Sequence, residues 1–182
     1  EAIQRIIAPT VRAMAEAGMP YSGVLYAGLM LTRDGPKLIE YNARFGDPET
    51  QPILFRLKSD LLQLIDAALE GKLSKTKAEW DPRPAVGVVM AAGGYPGDYR
   101  QGDQISGLPT TTSPTSKVFH AGTGHNERDQ TVTRGGRVLC VVGLGDTVKS
   151  AQEEAYRVVK QIHFKDALYR TDIAHRAIAR GL

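Results

Sequence analysis

The stretch that most constrains the fold is an alternating run that breaks off abruptly. In residues 37–43 the side chains of Ile39, Tyr41 and Ala43 interleave with Glu40 and Asn42, and Arg44 follows in step. Strand side chains point to opposite faces in turn, so one face is apolar and the other carries a carboxylate, a carboxamide and a guanidinium. A second extended run, 24–31, precedes it across Arg33, Asp34, Gly35 and Pro36, residues with hairpin-turn chemistry. Directly after it come Asp47, Pro48 and Glu49, a helix-start signal with Asp47 as N-cap, Pro48 at the first helical position and Glu49 in the first turn. Strands feeding a helix in this way make the fold α+β.

The remaining segments fit that class. Ile3, Ile6, Ile7, Val11 and Met14 recur at helical spacing up to Gly18, with Pro9 interrupting the helix or opening a new turn. Ser59 is the expected N-cap of a helix through Leu61, Leu62, Leu64, Ile65, Ala68 and Leu69, closed by Gly71. Pro82 and Pro84 mark a domain edge with Trp80 as its anchor, which divides the chain into 1–78 and 79–182. Beyond the edge lie strand-like runs at 85–91, 117–121, 130–133 and 137–144. A helix started by Asp146 or Thr147 follows, with Val148, Ala151, Ala155, Val158, Val159 and Ile162 on one face, and 171–180 reads as a short final helix. The apolar faces at 3–14 and 148–162 are core stripes.

Composition limits the functional class. Hydrophobic residues make up 42% and charged residues 24%, enough for a sizeable core and typical of a soluble globular chain. No apolar run approaches the roughly 20 residues of a membrane span. The single Cys140 lies in a continuous apolar run, which makes it core filler; it excludes an internal disulfide or a Cys-based zinc site and fits a cytoplasmic protein. The net charge of +3 is dispersed, so it favours small anions over nucleic acid. The chain begins with Glu1 inside a helical pattern, and we expect it to be a piece of a longer protein.

Glu40 and Asn42 stand two residues apart on one strand face, where their oxygens can bind one hard cation such as Mg²⁺. Arg44 beside them can hold phosphate oxygens and stabilise a phosphoryl transition state. On spacing alone a solvated polar face is the commoner meaning of such a pattern, and capping is the commoner role of Asp47 and Glu49. Gly93–Gly97 and the run Gly135, Gly136, Arg137 could bring backbone amides to a phosphate, but neither is a P-loop and turn chemistry is the stronger reading. His120 and His125 lack the further ligands zinc needs; His120 reads as a hydrogen-bonded residue near a bend, His163 and His175 as helix-end residues.

The string EYNARFGDPETQ, preceded by YSGVLYAGLMLTRDG, resembles the phosphoribosylamine–glycine ligase (glycinamide ribonucleotide synthetase) family of ATP-grasp enzymes. GYPGDYRQGDQISGLP at 94–109, VFHAGT at 118–123, GGRVLCVVGLG at 135–145 and YRTDI at 169–173 resemble that family's C-terminal domain in the same order. The resemblance implies that 1–78 is the metal-binding C-terminal part of an ATP-grasp domain and 79–182 a small mixed α/β domain of mainly antiparallel strands. It implies ATP-dependent joining of glycine to 5-phosphoribosylamine through glycyl phosphate in purine biosynthesis, releasing ADP and phosphate. By matching motif, Glu40 and Asn42 become the Mg²⁺ (or Mn²⁺) ligands, Arg44 the catalytic contact to the transferring phosphate, and Asp47 and Glu49 substrate-placing residues. Gly135, Gly136 and Arg137 become substrate-binding candidates. Two departures stand out. The run 25–31 carries no acid where many ATP-grasp enzymes have a metal ligand, and the family's N-terminal part is absent, so this chain is expected to be inactive alone. The expected partners are therefore glycine, 5-phosphoribosylamine, ATP and that N-terminal part, with neither nucleic acid nor membrane. The alternatives are another ATP-grasp carboxylate–amine ligase, or a non-catalytic fragment.

Overall fold

The computed structural model describes residues 1–181. The chain is a mixed α/β structure with antiparallel sheets, and it divides into two compact units. One unit comprises Glu1–Asp47 and Lys58–Glu79; the other comprises Pro48–Leu57 and the chain from Trp80 onward.

In the first unit a π-helical turn, Ile3–Ile7, runs straight into helix α1 (Ala8–Glu16). Pro9 therefore does not break the helix. It has no N–H to close a bond onto the preceding turn, and the helix changes type at that point. Strands β1 (Tyr26–Thr32) and β2 (Gly35–Asn42) form an antiparallel hairpin with a bulge at Gly28/Leu29. The turn is shorter than the sequence suggested, because Gly35 (φ 95°) and Pro36 already belong to β2. Thr32 locks it: its Oγ1 donates to the Gly35 carbonyl at 2.8 Å and accepts the Asp34 N–H at 3.2 Å. Tyr41 ties the hairpin to the first helical segment, its hydroxyl 2.7 Å from Thr10 Oγ1 and donating to the Ile6 carbonyl at 3.2 Å. Helix α3 (Leu61–Leu69) is capped by Asp60, whose Oδ1 accepts the Leu62 N–H at 2.8 Å. Ser59, the expected cap, instead accepts the Glu79 N–H at 2.7 Å; a carboxylate one residue closer to the helix takes the capping position.

The second unit is built on a three-stranded sheet in the order β3–β7–β4, with β3 at Ala85–Ala91, β4 at Ser116–His120 and β7 at Arg137–Leu144. Both pairings are antiparallel. Helix α4 (Val148–Val159) covers one sheet face, burying Val86, Val88, Met90, Leu139 and Val141 against Ala151, Ala155, Val158 and Val159. Gly143 permits this approach, since a Cβ there would stand 2.4 Å from the Ala151 carbonyl oxygen. A capping box between Thr147 and Ser150 starts α4, which resolves the Asp146/Thr147 ambiguity in favour of Thr147. Helix α2 (Thr50–Arg56) packs on β3 and β7, with Pro52 against Gly87 and Cys140, residues that alternate to the opposite face. The sheet is thus covered on both faces, which explains the unbroken apolar run of β7 and the burial of Cys140.

Helix α2 begins at Thr50 after a turn, with Glu49 at the N-cap and no side-chain cap, so Asp47 is not the N-cap. The proline inside the helix is Pro52, in the first turn, where a missing N–H breaks no intrahelical bond. A short hairpin, β5 (Thr123–His125) with β6 (Thr131–Thr133), adds a strand that the sequence reading left as loop. Three residues with two glycines nearby carry too little alternation to be read as a strand. Helix α5 (His175–Ala179) is shorter than expected, and His175 is its first residue. The dipole therefore does not favour a cation there; the His175 ring Nδ1 lies 2.7 Å from the Asp172 carbonyl oxygen instead. His163 lies beyond α4 and is held by its backbone, bridged to Ser106.

Candidate active site

Strand β2 does what its alternation demands. Glu40 and Asn42 emerge on the same face, and the Asn42 Nδ2 donates to Glu40 Oε1 at 3.1 Å. The pair is therefore within reach of one small ion, and turning the carboxamide would offer two hard oxygens to it. Glu40 is exposed and Asn42 half-buried, so the pair can be reached from solvent. Gly28 faces Glu40 across the hairpin, and a Cβ at that position would come within 3.1 Å of Glu40 Cγ. The Glu40 side chain thus lies over Gly28, and the strand that could have supplied a second carboxylate carries no side chain there. Among the described residues no three His, Cys, Asp or Glu side chains converge as a metal cluster.

Arg44, just past the strand, is exposed, and its Nη1 donates to the neighbouring Phe45 carbonyl at 2.8 Å. It has no carboxylate partner among the described residues, which leaves its charge available to an anion. Asp47 is exposed at the end of the first unit. Glu49 is half-buried in the second unit, where its carbonyl accepts the Ile53 N–H.

Gly135, Gly136 and Arg137 form the turn into β7 in the second unit. There the Ala92 N–H donates to the Gly136 carbonyl at 2.8 Å and the Gly122 N–H to the Arg137 carbonyl at 2.9 Å. Gly136 is buried under two aromatic rings: a Cβ there would stand 2.3 Å from Tyr95 Cδ2 and 3.1 Å from Tyr99 Cε1. Gly135 lies as close to Gly122, whose Cβ would come within 2.7 Å of the Gly135 Cα. Three loops, 92–99, 121–124 and 134–137, thus meet at one end of the sheet through glycine. Arg137 stands exposed beside them.

The sequence reading missed the Tyr95–Tyr99 pair, with ring centroids 6.2 Å apart, that roofs Gly136. It also missed Arg134, whose stem lies on Gly124. The signal available was the glycine density of 93–97 and 122–136, which marks close backbone approach without naming what approaches. His120 Nδ1 lies 3.0 Å from Thr123 Oγ1, the hydrogen-bonded setting expected for it. No helix among the described residues is long and apolar enough to cross a membrane.

Comparison with known proteins places these elements. Residues 85–176 match the family model described as "Phosphoribosylglycinamide synthetase, C domain", and residues 1–50 match "Phosphoribosylglycinamide synthetase, ATP-grasp (A) domain". The chain is 58% identical over 179 residues to the phosphoribosylamine–glycine ligase of Vibrio cholerae, covering 98% of this chain and 42% of the relative. The same identity and coverage hold for the enzyme of that name from Escherichia coli strain K12. A crystal structure of phosphoribosylamine–glycine ligase from Thermotoga maritima superposes with a TM-score of 0.76 at 34% identity, covering 93% of this chain and 41% of that one. The chain therefore spans about two-fifths of the length of the relatives it matches. It belongs to the phosphoribosylglycinamide synthetase family.

Proposed function

We propose that this chain carries the metal-binding strand and the C-terminal domain of an ATP-dependent ligase that joins glycine to 5-phosphoribosylamine. Residues 1–78 would be the end of the ATP-grasp domain and 79–182 the C-terminal domain. The observation that carries the reading is the Glu40–Asn42 contact on one strand face, with the carboxylate-free Arg44 two residues on. The names of the relatives support it.

Glu40 and Asn42 would hold Mg²⁺ or Mn²⁺, which when bound draws negative charge off the phosphate oxygens of ATP. With one carboxylate and one carboxamide from this chain, the ion keeps coordination positions for ATP oxygens and water, as Mg²⁺ commonly does. In the reaction a glycine carboxylate oxygen bonds to the γ-phosphorus and the bond to ADP breaks. The amine of 5-phosphoribosylamine then forms the amide as phosphate leaves, and a proton is lost from nitrogen. Arg44 serves the first step: its guanidinium can exchange the Phe45 carbonyl for equatorial phosphoryl oxygens, where charge is spread in the transition state. Asp47 and Glu49 would place the amine substrate. Arg137, exposed at the turn that Gly135 and Gly136 form, would offer a cation to its phosphate, with the two glycines letting the backbone lie close.

The test is to join this chain to the remainder of a ligase such as the Vibrio cholerae relative and measure ADP release. We expect release that depends on both glycine and 5-phosphoribosylamine, with the 182-residue chain alone inactive. In that joined enzyme Glu40→Gln should lower turnover about 100-fold, the scale of losing one transition-state charge contact. Release that proceeds with a different amine and not with 5-phosphoribosylamine would assign another ligase activity, and unchanged turnover in Glu40→Gln would remove Glu40 from the metal site.

A further inference from the structure

We infer that the side-chain oxygen of Gln51 accepts an N–H of the attacking amine, which makes Gln51 a substrate-positioning residue of the proposed ligase. Its Oε1 is buried without a hydrogen-bond partner, the only side-chain nitrogen or oxygen in that condition among the described residues. A buried acceptor with no donor weakens a fold, and the great majority of such atoms are paired. The residue as a whole is half-buried, and the terminal torsion of a glutamine is soft, so the carboxamide can turn to meet a donor. An acceptor in this setting fits a ligand that brings an N–H group.

Packing does not account for a carboxamide at this position, because other residues of α2 dock the helix. Pro52 lies against Gly87 of the sheet, and the Phe55 ring meets Phe119 edge-on with centroids 6.3 Å apart. Arg56 ties down the end of the helix, its Nε and Nη2 donating to the Asp81 carbonyl at 3.1 and 3.0 Å. Gln51 stands one turn before Phe55 on the same helix face, where an apolar side chain of similar length would leave no acceptor unpaired. The chemistry of the second step selects the donor. There the amine nitrogen bonds to the carbonyl carbon of glycyl phosphate, the carbon–oxygen bond to phosphate breaks, and the nitrogen sheds a proton. The nitrogen must therefore arrive with its lone pair free. A carboxylate facing it would hold it as an ammonium ion, whereas a neutral carboxamide oxygen takes one N–H and leaves the lone pair for attack. The nitrogen of glycine does not react, and as an ammonium ion it is better held by a carboxylate.

This role of Gln51 rests on the reaction proposed above, and the experiment separates the two. The joined enzyme is prepared as wild type, Gln51→Met and Gln51→Glu, and each is assayed for ADP release and melted without ligands. Met keeps the length of the side chain and removes the acceptor. For Gln51→Met we expect the KM for 5-phosphoribosylamine to rise at least tenfold, the scale of one buried hydrogen bond, with the KM for glycine within twofold. Its melting temperature without ligands should be unchanged or higher, since an unpaired acceptor has gone. Gln51→Glu should move the rise of kcat with pH to higher pH, because the new carboxylate favours the protonated amine. An unchanged KM for the amine in Gln51→Met would overturn the proposal. So would a melting temperature lowered by several degrees, which would mean that the oxygen serves the fold. A wild-type joined enzyme that accepts a different amine would remove only the proposed substrate, and the same KM comparison is then made with that amine. A wild type that turns over no amine would overturn both.

Discussion

Strand β7 and the hairpin strands β1 and β2 are each seven or eight residues long, yet they have opposite fates. From Val138 to Leu144 every residue of β7 is buried, with helices over both faces. On the hairpin Leu31, Leu38, Ile39 and Met30 all face solvent. The difference lies in what packs on each strand, since both have the β-branched and aliphatic side chains strands favour. The closed region gives its residues a fixed place. The open region has the candidate chemistry, Glu40, Asn42 and Arg44, on a frame whose apolar surface is still available.

The contrast can be broken by mutation, starting with the largest effect. Leu139→Ala removes a fully buried side chain beneath α4 and should cost about 2–5 kcal/mol, read as a lower denaturant midpoint of the second unit. Gly143→Ala drives a methyl toward the Ala151 carbonyl and the Ala155 amide. Backbone cannot yield as a side chain can, so we expect a loss of about 1–3 kcal/mol in the same measurement. If either substitution proves neutral, α4 does not seal the sheet as described.

Glu154 gives a subtler test. Its carboxyl is held down to about 2 from the ordinary 4.5, chiefly by the Arg157 guanidinium, with Ser116 and Thr115 hydroxyls adding to it. Arg157 Nε and Nη2 donate to it at 2.7 and 2.8 Å. The unfolded chain binds the proton more readily. This contribution is therefore fully present above pH 4.5 and is lost as pH falls toward 2. Glu154→Gln should cost about 1 kcal/mol at neutral pH and flatten the acid limb of the stability curve. A curve that keeps its slope between those pH values would place the acid sensitivity elsewhere. The smallest effect should be Leu31→Ser in the 182-residue chain, within about 0.5 kcal/mol, because the side chain is already in water. A large loss there would mean that the hairpin is closed in solution.

Sequence reasoning recovered what local chemistry decides. The strands at 85–91 and 137–144 have the bounds expected, because a continuous apolar run between turn residues has few other solutions. The pairing of Glu40 with Asn42 on one face followed from alternation alone, and so did the burial of Cys140. What it could not decide were competitions between neighbours and between distant segments. Ser59 and Asp60 are both good caps, and only the Glu79 amide, twenty residues away, draws Ser59 off. Asp47, Pro48 and Glu49 spell a helix start, but the chain makes a turn there first and the helix opens at Thr50. The roof of Tyr95 and Tyr99 over Gly136 joins loops some forty residues apart, which no local pattern encodes.

The second unit closes its own core, whereas no hydrophobic side chain of the first is among the buried core residues. Amide hydrogen exchange of the 182-residue chain, followed by mass spectrometry at peptide resolution, tests it most directly. Peptides from β3, β7 and α4 should stay protected to the limit of global unfolding, while those from β1, β2 and α3 exchange orders of magnitude faster. Equal protection of Tyr26–Thr32 and Arg137–Leu144 would contradict the claim, because it would require the hairpin to be as firmly covered as the sheet.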